Sequence, residues 1–360
     1  MKTGVRIPTD AFKKLRALPY GKVLACIAIV VFMAMMLIKP DYYLDSARRG
    51  LSLYATSVLP SLFPFYFFSL LLTYIGSAKA VSAIFQKPVR LLYNVPKESA
   101  YVLLLSMMSG YPVGASMTAE LYTAGVITAK EAKAIASFAS TSGPVFMLGT
   151  VGSAIFGDAR VGAVILTAHY LSALINGLIF RVRKNKRNPE DGGVGENTPT
   201  DKNNDRIGDG ARKITIMSAN DADSLMSRTI ANSTLSMLYV GGYVVLCGML
   251  VDTLSLLNID SLLLSALGEN VGQPILALID GLIEMTRGSI ECAKCPSANL
   301  GIALCAGVVS FGGLSVMLQN YTFLSKCKMK FHEVFIRKLL QSVIAFLIAF
   351  ALSFAVADWG

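Results

Sequence analysis

The sequence predicts an all-α, polytopic membrane protein with about seven transmembrane helices plus two re-entrant hairpins, built as two inverted-topology repeats. Three observations lead there. Only 16% of the 360 residues are charged while 54% are hydrophobic, and the mean hydropathy is +0.56. Soluble domains carry about 25% charged residues, so this composition cannot clothe a water-facing surface. Several apolar runs meet or approach the roughly 20 residues that cross about 30 Å of hydrocarbon as a helix. The basic residues cluster between those runs. Together these exclude a soluble enzyme, a secreted disulfide domain and an ordinary DNA-binding protein. The net charge of +10 is then a positive-inside signature rather than a nucleic-acid footprint.

The elements follow in order. Residues 1–40 hold a cytoplasmic tail with Lys2, Arg6, Lys13, Lys14, Arg16 and Lys22 against Asp10, then the first membrane helix, Val23–Ile38. No small-x-small cleavage site follows Ile38 and further spans come after, so the run reads as a retained anchor and not a cleaved signal peptide. Residues 41–182 form the first repeat: 51–76 runs inward, 99–124 is a hairpin from the inner side, 135–156 crosses outward and 161–180 returns. Arg181, Arg183, Lys184, Lys186 and Arg187 close that return. Residues 183–222 are polar and Gly/Asn/Asp-rich, the composition of a disordered cytoplasmic linker. Residues 223–360 form the second repeat. There 225–251 crosses outward, and 252–286, which lacks Lys and Arg, reads as an outer loop. A hairpin at 275–294 dips from outside, 297–324 returns to a basic cluster including Arg337 and Lys338, and 339–357 exits to an outside C-terminus.

The two halves share features at offsets of roughly 170–180 residues. Ser109-Gly110-Tyr111-Pro112-Val113-Gly114 corresponds to Glu284-Met285-Thr286-Arg287-Gly288, and Thr141-Ser142-Gly143-Pro144 corresponds to the run through Gly312 and Gly313. Each motif breaks an apolar run. Lipid offers no hydrogen-bond partners, so a broken helix exposes amides and carbonyls that need protein or a ligand. Breaks converging at mid-membrane would offer half-helix N-termini to a polar solute. Gly and Pro are also common in membrane helices for close packing and kinks, and that reading stands beside the first.

Glu284 and Arg287 are the charged pair of an embedded break. Membrane charges are costly, so such residues serve a site or pair with each other at i,i+3. His169 reads either as a proton relay or ligand contact, or as a packing histidine bonded to a backbone carbonyl. Gln319 and Asn320 read as solute ligands or as helix bridges. Cys292 and Cys295 form a lone C-x-x-C with no second pair, weak grounds for metal or redox chemistry. The candidate solute site therefore comprises Ser109, Gly110, Tyr111, Pro112, Gly114, Thr141, Ser142, Gly143, Pro144, Glu284, Thr286, Arg287, Gly312, Gly313 and Gln319, with His169 as the relay candidate. No catalytic apparatus, cofactor or metal is expected.

The motifs Leu59-Pro-Ser-Leu-Phe-Pro-Phe65, Ser109-Gly-Tyr-Pro-Val-Gly-Ala115, Glu120-Leu-Tyr, Thr141-Ser-Gly-Pro-Val-Phe-Met-Leu-Gly149 and Gly312-Gly-Leu-Ser-Val-Met-Leu-Gln319 resemble the sporulation integral membrane proteins of the YlbJ type. The resemblance covers nearly everything except the N-terminal tail and the linker. It implies nucleoside-recognition (Gate) domains, similar to modules of concentrative nucleoside transporters and of a ferrous iron transporter. It also implies a cell-membrane protein of spore-forming bacteria linked to spore cortex formation. Two functions stay open: a transporter-like protein for a small polar solute, nucleoside-like by analogy, and a non-transporting membrane scaffold or assembly factor. The expected partners are the lipid bilayer, a small polar solute, and another Gate-domain membrane protein or a second copy of the chain; nucleic acid is not among them. A topology reporter fused before Met1 is expected to be active in the cytoplasm and one fused after Gly360 outside. Both reporters on one side would refute the odd number of crossings.

Overall fold

The structure, a computed structural model, describes residues 20–75, 78–182 and 222–357, and every regular element among them is helical. Most of the N-terminal tail and almost all of the expected linker lie outside the described residues. The chain divides into two compact units, 1–49 and 50–360. In the first unit, α1 (Tyr20–Ile38) has 19 residues. At 1.5 Å per residue that is about 28 Å, close to the hydrocarbon thickness. Leu24, Ile27, Val30 and Leu37 are exposed along it, as lipid contact requires. Pro40 opens α2 (Pro40–Leu53), where its missing N–H costs no helical bond, and Asp41 faces the positive end of the helix.

From α2 the backbone passes through a widened π turn, Tyr54–Val58, into α3 (Leu59–Tyr74). Pro60 lies in the first turn of α3 and Pro64 inside it. The prolines do not interrupt the run: the helix continues through both, and Pro40–Tyr74 is long and apolar enough to cross a membrane. There follow α4 (Ala78–Tyr93), α5 (Ser99–Ser109), α6 (Tyr111–Thr123), α7 (Ala129–Phe138), a second π segment (Phe146–Ile155) and α8 (Ala159–Ile179). Thr128 and Glu131 form a capping box at the start of α7, and Asp158 caps α8.

After 221 come α9 (Ala222–Leu256), α10 (Ile259–Leu267), α11 (Glu269–Ile283), α12 (Met285–Ala293), α13 (Ala298–Phe311), α14 (Gly313–Leu324) and α15 (Phe331–Ala357). Among the described residues five helical stretches are long and apolar enough to cross a membrane, and Val23–Ile38, Ser99–Ser109 and Phe146–Ile155 are shorter apolar helices. Exposed Phe68, Ile84, Leu238 and Leu347 would be a liability in water and suit a lipid boundary. The run Ala298–Cys327 is instead almost wholly enclosed by protein.

Three expectations change. The stretch 252–286 is not an outer loop: α9 extends into it and α10 and α11 fill most of it, turned by Asn258 and Gly268 at positive φ. The absence of Lys and Arg carries no information about its backbone. The second hairpin begins at Glu269 and turns at Glu284, so Gly288 lies inside α12. The last helix begins at Phe331 rather than 339, which carries Arg337 and Lys338 into the helix.

Helices from the two halves alternate in space. In the second unit α3 packs on α9, α6 on α14, and α8 on both α13 and α15. Small residues allow the closest approaches. Gly281 and Gly288 bring the two arms of the second hairpin into backbone contact. A Cβ on Gly114 would run into the Ala139 carbonyl oxygen and come within 2.7 Å of the Ser106 hydroxyl. Gly114→Val is expected to cost at least about 3 kcal/mol of stability by overpacking. Gly149→Ala meets nothing within 4 Å and should change it by less than about 0.5 kcal/mol. Equilibrium unfolding in detergent distinguishes the two.

Candidate functional site

Four helix breaks meet in two pairs. Gly110 turns the first hairpin with φ +96°, a conformation open to glycine, and Pro112 starts α6. This turn lies against the second break, residues 140–143: a Cβ on Gly110 would come within 3.2 Å of the Gly143 nitrogen. Ser106 joins them, its hydroxyl donating to Ala139 O at 2.7 Å and lying 3.0 Å from Thr141 Oγ1. The other pair is built similarly. Gly312 and Gly313, both at positive φ, separate α13 from α14. A Cβ on Gly313 would meet Gly281 O, Ile283 O and Glu284 N at 2.9–3.2 Å.

Side chains then join the pairs across the two halves. His169 accepts from the Ser142 N–H at Nε2 (2.9 Å) and its Nδ1 lies 2.8 Å from the Ser310 hydroxyl. An unprotonated Nε2 leaves Nδ1 as the protonated nitrogen, so the imidazole bridges in its neutral form. Tyr111 donates its hydroxyl to the Val309 carbonyl, and Asn320 Nδ2 donates to Ser140 Oγ at 3.0 Å. The backbone partner of the His169 ring is thus an amide and not the expected carbonyl, and Asn320 bridges α14 to the break at Ser140.

Between the pairs lies a cavity with about 20 Å³ of room for the centres of water-sized molecules, enough for about one water. Tyr111, Pro112 and Ser142 line it from the first half, and Glu284, Thr286, Ser315 and Gln319 from the second; Val58, Leu62, Phe146, Val240 and Val244 supply apolar wall. Glu284 is 1% exposed. Its carboxylate accepts from the Arg287 N–H at 2.8 Å and the Thr286 hydroxyl at 3.2 Å, capping α12. The N-terminus of α12 and the amide of Ser142 are thus occupied by the protein's own groups, not left open.

Six of the predicted residues, Tyr111, Pro112, Ser142, Glu284, Thr286 and Gln319, come together at this cavity. Gly110, Gly114, Gly143, Pro144, Gly312 and Gly313 shape the breaks behind it. Thr141 is held by Ser106, and Ser109 lies 2.5 Å from the Ser69 hydroxyl. Arg287 does not pair with Glu284: its guanidinium turns away to Asp252 at 2.6 Å, fastening the second hairpin to α9. The i,i+3 spacing is satisfied through Arg287's backbone instead. Ser315 and Lys338 escaped the sequence reading. Ser315 sits one turn before Gln319, a spacing that could have revealed it. Lys338 was counted among the basic residues that mark the inner face, yet it is 2% exposed.

Replacing His169 with Ala strands a buried amide and a buried hydroxyl, with an expected cost of about 3 kcal/mol. The double variant His169→Ala, Ser310→Ala should recover part of this, because one orphaned partner is gone. Thermal unfolding of both variants checks it.

The chain is 29% identical over 325 residues to the sporulation integral membrane protein YlbJ of Bacillus subtilis (strain 168), covering 85% of this chain and 76% of that one. It is 37% identical over 89 residues to the inner membrane protein YjiG of Escherichia coli (strain K12), covering 24% of this chain and 56% of YjiG. YjiG of Escherichia coli O157:H7 matches to the same extent. No family model matches the chain, and no solved structure matches it. The similarity that runs along most of both chains, together with the apolar helices, supports a YlbJ-type assignment for this integral membrane protein.

Proposed function

We propose that the chain is a transporter-like membrane protein of sporulation that binds, and by alternating access moves, a small polar solute at the meeting of its helix breaks. It performs no covalent chemistry in this reading. The observation that carries it is the cavity walled by breaks from both halves, with a carboxylate, hydroxyls and an amide facing it. Breaks that line a protected cavity at the interface of two repeats are a transporter's way of holding a solute. The sporulation role rests on the printed name of the Bacillus relative. A nucleoside-like solute rests on analogy with Gate domains.

Ligand pockets measure about 300–1,000 Å³, so a cavity with room for about one water corresponds to a closed state. Opening would involve the polar contacts around the cavity's helices: Lys133 pairs with Glu333 at 2.8 Å, Arg337 donates to Ser137 Oγ at 2.9 Å, and Arg287 pairs with Asp252 at 2.6 Å.

The tightness of the same cavity favours a second reading, a non-transporting scaffold or assembly factor in the membrane. Thermal unfolding against a panel of nucleosides and other small polar solutes separates the two, since a ligand of the folded state raises its stability by mass action. A stabilising solute should bind at least about tenfold more weakly to Glu284→Gln and Thr286→Ala, each of which removes a hydrogen bond to a charged or buried group. No stabilisation by any member of the panel, together with no flux into proteoliposomes, leaves the scaffold reading.

A further inference from the structure

Lys338 lies seven residues into α15, about 10 Å along its axis. Its ammonium donates to the Ser140 carbonyl at 3.0 Å and to Gln341 Oε1 at 2.8 Å, and sits 4.7 Å above the Tyr111 ring. Among the described residues no carboxylate comes within ion-pair distance of it. The neighbouring His169 is held neutral by the hydrogen bonds given above. A buried ammonium with no anion is costly in a membrane and needs another source of compensation. Here the source is oxygen: a backbone carbonyl just beyond the C-terminus of α7, where the helix dipole is negative, a side-chain amide and an aromatic face.

Unwound carbonyls and half-helix C-termini at a broken crossing are the groups that hold an alkali-metal ion in membrane proteins. Two further atoms complete the picture. Asn320, bonded through Nδ2 to Ser140 Oγ, keeps a buried Oδ1 with no hydrogen-bond partner, and Gln341 Nε2 is likewise unpartnered. The polar cluster around Ser140 thus has oxygen to spare and an amide turned for the sake of the ammonium. We propose that Lys338 is a tethered cation: from α15 it fills an oxygen-lined cation position at the break after α7, so that this break needs no sodium or potassium. Solute movement under the reading above then draws on no alkali-metal gradient at this position. The inference itself does not depend on that reading, because its test measures folding and not flux.

The test uses the full chain in detergent, with its unfolding temperature compared in sodium, potassium and choline chloride at equal ionic strength. The wild type is expected to unfold at one temperature in all three, and also when gluconate replaces chloride. Specific stabilisation by an alkali cation, or by either anion, overturns the proposal, since it reveals an open cation position or an ammonium open to anions. Lys338→Met should lower the temperature by several degrees in every salt. Lys338→Ser, which frees the oxygens, should be weakest in choline and regain stability in sodium or potassium; no such gain counts against the proposal. Gln341→Glu places a carboxylate beside the ammonium and should raise the temperature above wild type, while a fall contradicts a charged Lys338. If neither Lys338 variant folds, the salt comparison on the wild type and Gln341→Glu still decide.

Discussion

A helix that stops inside a membrane must satisfy its freed amides and carbonyls without water, and the interior of this protein is organised around that requirement. The Ser142 amide finds His169, the Ala139 carbonyl finds Ser106, the Ser140 carbonyl finds Lys338 and the Val309 carbonyl finds Tyr111. Glu284 turns its carboxylate back onto the start of α12. Two of these partners, Lys338 for Ser140 and Tyr111 for Val309, come from the opposite half of the chain and tie the halves together; the others are met within their own half.

The same economy explains why the cavity is small. The Glu284 carboxylate, the Thr286 hydroxyl, the Arg287 amide and the Ser142 amide already have internal partners. Under the proposed transporter-like reading, a solute entering here would exchange hydrogen bonds rather than find vacant ones, and a poorly matched guest would leave buried polar groups unpaired.

Much of the fold was legible in the sequence because hydrocarbon imposes simple rules. Length and apolarity located the crossings, and Gly110, Pro112, Gly143 and Gly312 located the breaks. The failures have physical causes too. The stretch 252–286 lacks basic residues, a charge pattern that bears on expected sidedness but not on whether its leucines form α10 and α11. Lys338 was read by its charge as an interfacial residue, yet a lysine stem is long enough to bring an ammonium to carbonyls that no local pattern announces. An Arg287–Glu284 pair was one of two readings their spacing offered, but spacing cannot weigh a competitor such as Asp252, 35 residues away in sequence. Which residues meet at a cavity is a tertiary fact, and Ser315 joins Thr286 there only because α14 packs against the second hairpin.

The glycine contacts of that hairpin carry a mechanical consequence. Gly281 and Gly288 press the two arms together with no side chain between them, and Gly313 presses the start of α14 onto the same turn. Surfaces joined backbone to backbone have no flexible side chains with which to slide, so the arms and the head of α14 behave as one rigid lever. Residues at positive φ border it, Gly268 before α11 and Gly312 before α14. Between them it carries Glu284, Thr286 and Ser315 together, which fixes the spacing of three cavity groups.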